Sequence, residues 1–135
     1  MSRNDRTERK LPGDPLLIAL QFNDHINHQN IKGISNMMTE DHRFIDRAGE
    51  EVIGKESMLR GWSEFFELFP EYINIFEKVE RIRNLVILYG YAIWQTGEAP
   101  DRAIWTATIE NNRVSEWHIY EDTKENREKF SPHTA

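Results

Sequence analysis

From residue 15 the apolar positions fall at helical spacing: Leu16, Ala19, Phe22 and Ile26 recur every three or four residues, and Gln29 continues the period. One face of a helix is therefore marked for burial. Asp14 stands ready as the N-cap and Pro15 as the first helical residue, so the pattern predicts a long amphipathic helix. The stretch IKGISNMMT, with Ile31, Ile34, Met37 and Met38, predicts a second, short helix ending at the turn-forming TEDH. HRFID then reads as a short strand whose alternation puts His42, Phe44 and Asp46 on one face. In GKESMLRGWSEFFELFP, the residues Met58, Trp62, Phe65, Phe66 and Phe69 make an apolar stripe, and Pro70 stops the helix.

Beyond Pro70 the period changes. YINIFEKVERI, LVILYGYAIWQT, DRAIWTATIE and VSEWHIY are rich in β-branched and aromatic residues and are separated by RN, GEAP and NN. They predict four sequential antiparallel strands. Three helices followed by a strongly curved antiparallel sheet give an α+β domain in which the long helix covers the concave face.

The chain has 135 residues, the length of a single domain, and 39% of them are hydrophobic, enough for one core. That domain is placed at residues 14–130, with the charged stretch 1–13 and the residues 131–135 expected to be disordered. The net charge of −6, from 23 acidic and 17 basic residues, opposes attraction to nucleic acid or to an anionic membrane. With no cysteine, thiol nucleophiles, disulfides and thiolate metal sites are excluded. No apolar run of about 18 residues is present, and the N-terminus lacks a signal-peptide core, so a soluble cytoplasmic protein is expected.

Three stretches in the same order, MMTEDHRFID, VIGKESMLRGWSEFFELFPEY and NNRVSEWHIYED, resemble the SnoaL-like proteins of the nuclear-transport-factor-2-like superfamily, which includes ketosteroid isomerases and polyketide cyclases. The resemblance runs from about Pro15 to Phe130. It implies a cone-shaped α+β barrel with an apolar cavity between sheet and helices, in a homodimer formed through sheet surfaces. It does not name a function, because that cavity hosts isomerases, hydrolases, cyclases and noncatalytic binders.

The resemblance gives Asp46 the position of the isomerases' proton-shuttling aspartate, whose chemistry needs a carboxylate at the mouth of an apolar cavity. The plain alternative is that Asp46 closes a strand, accepts backbone hydrogen bonds in the turn RAGEE, or pairs with Arg43 or Arg47. The oxyanion donors of those enzymes are not reproduced. Phe22 stands where their tyrosine would be, and Trp105, with an indole N–H, stands near their second donor. Ile119 occupies the position of the catalytic aspartate of limonene epoxide hydrolases and of the acid/base in the polyketide cyclases, so steroid isomerase and epoxide hydrolase activities are both disfavoured. Asp122 is read as the acid that ends the last strand and caps the following turn.

His42, on the face of Asp46, is either a surface histidine or its partner at the cavity mouth. His25 and His28 belong to a solvated helical face. On the last strand Trp117 and Ile119 point inward, and His118 and Tyr120 outward. Phe22, Ile26, Trp62, Phe66, Trp105, Trp117 and Ile119 are the expected ligand-contacting set, although the aromatic members could equally fill the cone. The strand LYGYAIWQT is apolar on both faces, which supports a homodimer. No cofactor is implied. Two readings remain: a pocket for a small hydrophobic molecule, with or without acid/base catalysis by Asp46, and a noncatalytic dimerisation or protein-association module. A cavity of several hundred Å³ would favour the first.

Overall fold

The structure is a computed structural model that describes residues 13–131. The expected terminal tails therefore lie outside the described residues, apart from their innermost members. Gly13 donates its N–H to Asn112 Oδ1 at 2.7 Å, and Ser131 donates its N–H to the carbonyl of Glu128 at 3.1 Å.

The helices come first: α1 Pro15–Asn27, α2 Ile31–Asn36 and, after two strands, α3 Lys55–Leu68. Asp14 caps α1 as the sequence predicts, its Oδ1 accepting the Leu16 N–H at 3.0 Å. The second helix is shorter than IKGISNMMT suggests. Met37 only caps it, and Met38 opens strand β1, Met38–Ile45. Pairing explains the difference: Met38 lies beside Val114, whose N–H donates to the Met37 carbonyl at 2.7 Å, and its side chain is wholly buried.

Five more strands complete a single sheet: β2 Glu51–Ile53, β3 Ile73–Ile82, β4 Leu85–Ile93, β5 Asp101–Glu110 and β6 Arg113–Glu121. Their order is β2-β1-β6-β5-β4-β3, antiparallel throughout except where β1 runs parallel to β6. The four-stranded meander is as predicted; the parallel pairing and the short β2 are additions. The sheet does not close on itself, so the cone is an open one roofed by helices. A last helix, α4 Lys124–Lys129, is capped by Thr123, whose hydroxyl accepts the Asn126 N–H at 3.0 Å. Asp122 is thus not the cap. It forms a two-pronged ion pair with Arg127 at 2.6 and 3.1 Å, which holds its carboxyl below the usual range.

The bend in the sheet has a local cause. The β3–β4 register shifts between Phe76 and Lys78, and opposite that bulge stands Gly90. A Cβ on Gly90 would collide with the carbonyl oxygen of Ile75 and lie 2.8 Å from the Cα of Phe76. Only glycine lets the two backbones approach so closely.

Helix α1 crosses the concave face and is tied there by asparagines. Asn27 behaves like a strand neighbour of Asn74, accepting its N–H at 2.8 Å and donating to its carbonyl at 2.9 Å. The Asn74 side chain donates to Asn23 Oδ1 at 3.1 Å in a buried pair. On the convex face a smaller cluster of Ile87, Tyr89 and Ile104 is covered by Phe130, which follows α4.

Two glycines give opposite expectations. Gly90→Ala should lower the unfolding free energy by about 3 kcal/mol, the upper part of the range for forced overpacking. Gly61→Ala, in the interior of α3 with only Met58 at 3.7 Å or beyond, should raise it by about 0.5–1 kcal/mol. Urea unfolding of the two variants beside the parent checks both signs.

Candidate functional site

Alternation along strands and the helical period of α3 send several aromatic side chains to one place. Met58, Gly61, Trp62 and Phe65 form one face of α3, and opposite them stand Phe44 of β1, Ala92 of β4, Trp105 of β5 and Ile119 of β6. Together with Val52, Tyr72 and Trp94 they enclose a cavity of about 360 Å³. Asp46 and Arg47 supply its charged wall. Gly61 helps to keep the space open by presenting no side chain on the inward face of the helix. A wider concavity of about 820 Å³ lies between Gly13, Pro15 and the segments around Asn84 and 109–113, but no aromatic ring lines it.

The cavity has a buried floor and a wetter mouth. Trp62, Tyr72, Ala92 and Trp105 are at most 5% exposed, whereas Val52 on the rim is 37% exposed. Within the packing of that floor the indole nitrogens of Trp62 and Trp105 are buried and meet no acceptor from the protein, as is also true of Trp117 in the core. An unpaired buried donor of this kind costs about 1–3 kcal/mol. Burial also pushes the Tyr72 hydroxyl well above its ordinary range, with Arg47 opposing the shift, so it is a protonated donor at neutral pH.

At the mouth, Asp46 builds the turn after β1. Its Oδ1 accepts the N–H groups of Ala48 and Glu50, both at 2.9 Å, and its own N–H donates to the Glu50 carbonyl at 3.0 Å. Both side-chain bonds use Oδ1, so Oδ2 remains available to a partner. Arg47 reaches the other way, to Asp101 Oδ2 at 3.1 Å and Glu121 at 3.6 Å, and Asp101 Oδ2 also accepts the Trp94 indole N–H at 3.0 Å.

The residues singled out from the sequence divide between wall and core. Asp46, Trp62, Trp105 and Ile119 line the cavity. Phe22, Ile26 and Trp117 are fully buried in packing behind it, Phe22 lying 5.1 Å from the Trp117 ring. Phe66, stacked on Trp62 at 5.4 Å, supports the wall without forming it.

His42 is neither on the surface nor at the mouth. It is fully buried beside Phe22, with ring centroids 5.9 Å apart. Its Nδ1 lies 2.8 Å from the Val114 carbonyl, which can only accept, so Nδ1 carries the proton. Its Nε2 is left with no partner from the protein. The outward pair is as expected, His118 stacking on Tyr120 at 3.8 Å.

Sequence reasoning missed Arg47, Tyr72, Trp94 and Asp101 as members of one site. They sit at strand ends and in turns, where no hydrophobic period marks a direction. The only available signal was two aromatics, Tyr72 and Trp94, just outside the ends of neighbouring strands.

This open, curved six-stranded sheet beneath N-terminal helices is the fold of the SnoaL-like and nuclear-transport-factor-2-like proteins. No protein-family model matches the chain, and no curated protein does. Solved structures do. A protein assigned as a SnoaL-like polyketide cyclase from Shewanella putrefaciens CN-32 superposes with a TM-score of 0.72 at 16% identity, over 88% of this chain and 86% of its own. A nuclear-transport-factor-2-like protein of unknown function from Cytophaga hutchinsonii gives 0.69 at 17% identity, over 88% and 99%. TerC, co-crystallised with polyporic acid, gives 0.67 at 12% identity, over 85% and 97%. At these identities the likeness is one of fold. Among the described residues no helix is long and apolar enough to cross a membrane.

Burial lowers the His42 pKa below its ordinary value of 6.5, the carbonyl of Val114 and the charge of Asp41 opposing. The folded protein therefore binds fewer protons than the unfolded chain below about pH 6.5. Its stability should be full above that pH and fall as the pH drops toward the lowered folded value. His118, lowered by burial and by Lys129 and Arg43, acts in the same direction. Melting temperatures at pH 7 and pH 5 should differ less in His42→Gln than in the parent, without becoming equal.

Proposed function

We propose that the protein binds a small hydrophobic molecule in the cavity between α3 and the concave sheet. The observation that carries this reading is the cavity itself, about 360 Å³ walled almost wholly by apolar and aromatic side chains, with Asp46 and Arg47 as its charged groups. Apolar pockets with few convergent polar groups suit small ligands, and a volume of about 360 Å³ is ample for a molecule of two or three fused or linked rings. The co-crystallisation of TerC with polyporic acid shows a small organic molecule associated with the same fold.

Within this reading Asp46 is the candidate acid/base for isomerase, cyclase or hydrolase chemistry, using the carboxylate oxygen that the turn leaves available.

The association-module alternative has less support. The convex-face rings Tyr89, Tyr91 and Tyr120 are partly covered by the chain itself, with Lys78 and Arg127 over Tyr89, Arg102 over Tyr91, and Lys129 and Phe130 against Tyr120. A homodimer through this face stays part of the proposal, in a polar-rimmed form in which these cations meet the partner.

Anilinonaphthalene sulfonate should bind the folded protein saturably at one site, with quenching of tryptophan fluorescence, and polyporic acid should displace it. Gly61→Leu fills the cavity from α3 and should weaken binding of the dye and of polyporic acid by about tenfold or more. Absence of saturable dye binding to the folded parent would falsify the reading. Once a substrate is in hand, Asp46→Asn should lower turnover by about 10²-fold or more.

A further inference from the structure

We infer that Asp101 is a positioning residue: its carboxylate latches the mouth of the cavity by holding Arg47 against a fixed post made by Trp94, and so governs ligand entry. The inference rests on the ligand-binding reading above and adds to it how the site opens.

The post is the Trp94 ring. It sits edge-on among Phe65, Phe69 and Tyr72, with centroid distances of 5.5, 5.0 and 5.0 Å. Three such edge contacts leave the indole little freedom, and its N–H is aimed at Asp101 Oδ2, 3.0 Å away. The same oxygen receives Arg47 Nη2 at 3.1 Å. One carboxylate oxygen thus joins two wall residues, one from the turn after β1 and one from just past the end of β4, while Asp101 is not itself among the wall residues.

The arm is the turn that carries Arg47. Residues 48–50 are exposed, and so are all three residues of β2, which pairs with β1 alone. Gly49 and Gly54 have φ of +87° and +103°, and a Cβ at either would meet nothing within 4 Å. This is the least packed side of the cavity. Its other ties at Arg47 are weak, a 3.6 Å approach to Glu121, whose side chain is 60% exposed, and a 3.4 Å bond to the Arg102 carbonyl. Exposed pairs at such distances add little, and the shorter bond to Asp101, whose side chain is 38% exposed, is the best placed of the three to set where Arg47 lies. Arg47 in place narrows the mouth beside Asp46 and Val52; Arg47 released widens it.

Stopped-flow mixing with anilinonaphthalene sulfonate tests the latch. Asp101→Ala should raise the association and dissociation rate constants together by about tenfold, leaving Kd changed by less than about threefold. Arg47→Gln cuts the same link from the arm and should give the same acceleration, with no further rise in the double variant, since coupled residues are not additive. A merely structural role would not produce that pattern. Trp94→Phe leaves Arg47 paired and should accelerate less. Asp101→Val keeps a branched side chain without any acceptor oxygen and serves if Asp101→Ala is unstable. By NMR, the Trp94 indole proton should exchange with solvent faster in either Asp101 variant. Dye rates and indole exchange unaltered in folded Asp101 variants overturn the latch alone; failure of the parent to take up the dye overturns the latch together with the cavity reading.

Discussion

The interior exists because two backbones touch at Gly90. With no side chain there, β4 lets the bulge of β3 press against it, and the sheet turns sharply enough for its concave face to wrap around the helices. A flatter sheet would be covered by one layer of side chains and leave no space. Curvature moves the far strands away from α1, and the side chains of that helix fill only one end. There Phe22, Ile26, Trp117 and Phe76 pack solidly, and the buried amides of Asn23 and Asn74 fix the helix to the strand. At the other end α3 stands opposite the sheet with Gly61 in its inward face, and the cavity remains.

How much of this could be read in advance depended on whether a residue obeyed a period. The faces of α1 and α3 were legible because their buried positions repeat every three or four residues. The meander was legible because RN, GEAP and NN punctuate β-rich runs. β2 was not, since all three of its residues are exposed and no alternation can mark a strand with no buried face. The short α4 escaped because none of its own residues is buried, and its anchor, Phe130, comes after it. For the site, the sequence identified inward-pointing residues but could not separate wall from core. Phe22 and Trp105 are equally apolar and equally inward; only the bend decides that one meets Trp117 and the other borders a space. Tyr72, Trp94 and Asp101 belong to strand ends, where direction is set by long-range hydrogen bonds that no local pattern encodes.

The two readings of Asp46 are not exclusive. A carboxylate has two oxygens with about four acceptor sites, and the turn uses only Oδ1. The bonds from Ala48 and Glu50 fix the carboxyl plane against the end of β1, which a general base needs before it can be aimed at anything. His42 is the contrasting case. Alternation correctly put it on the inner face with Phe44 and Asp46, but Phe22 lies over it and burial keeps the imidazole neutral. One strand face therefore carries a structural histidine at its packed end and an accessible acid at its open end.

The cavity is polarised along its length. Its floor is buried and apolar, and its mouth offers carboxylates of which Asp101 and Glu121 are engaged by Arg47. In the proposed complex this fixes orientation: the hydrophobic body of the ligand enters first, toward Trp62 and Trp105, and a group bearing an acidic C–H or O–H trails toward Asp46. Reversed entry would bury the polar group on the apolar floor and set the hydrophobic end against the charged side chains of the mouth, and both terms oppose it. Under that proposal the arrangement favours a ligand with a proton-bearing polar group at one end of a hydrophobic body. It places the candidate base at the end of the cavity where a proton can be exchanged with water.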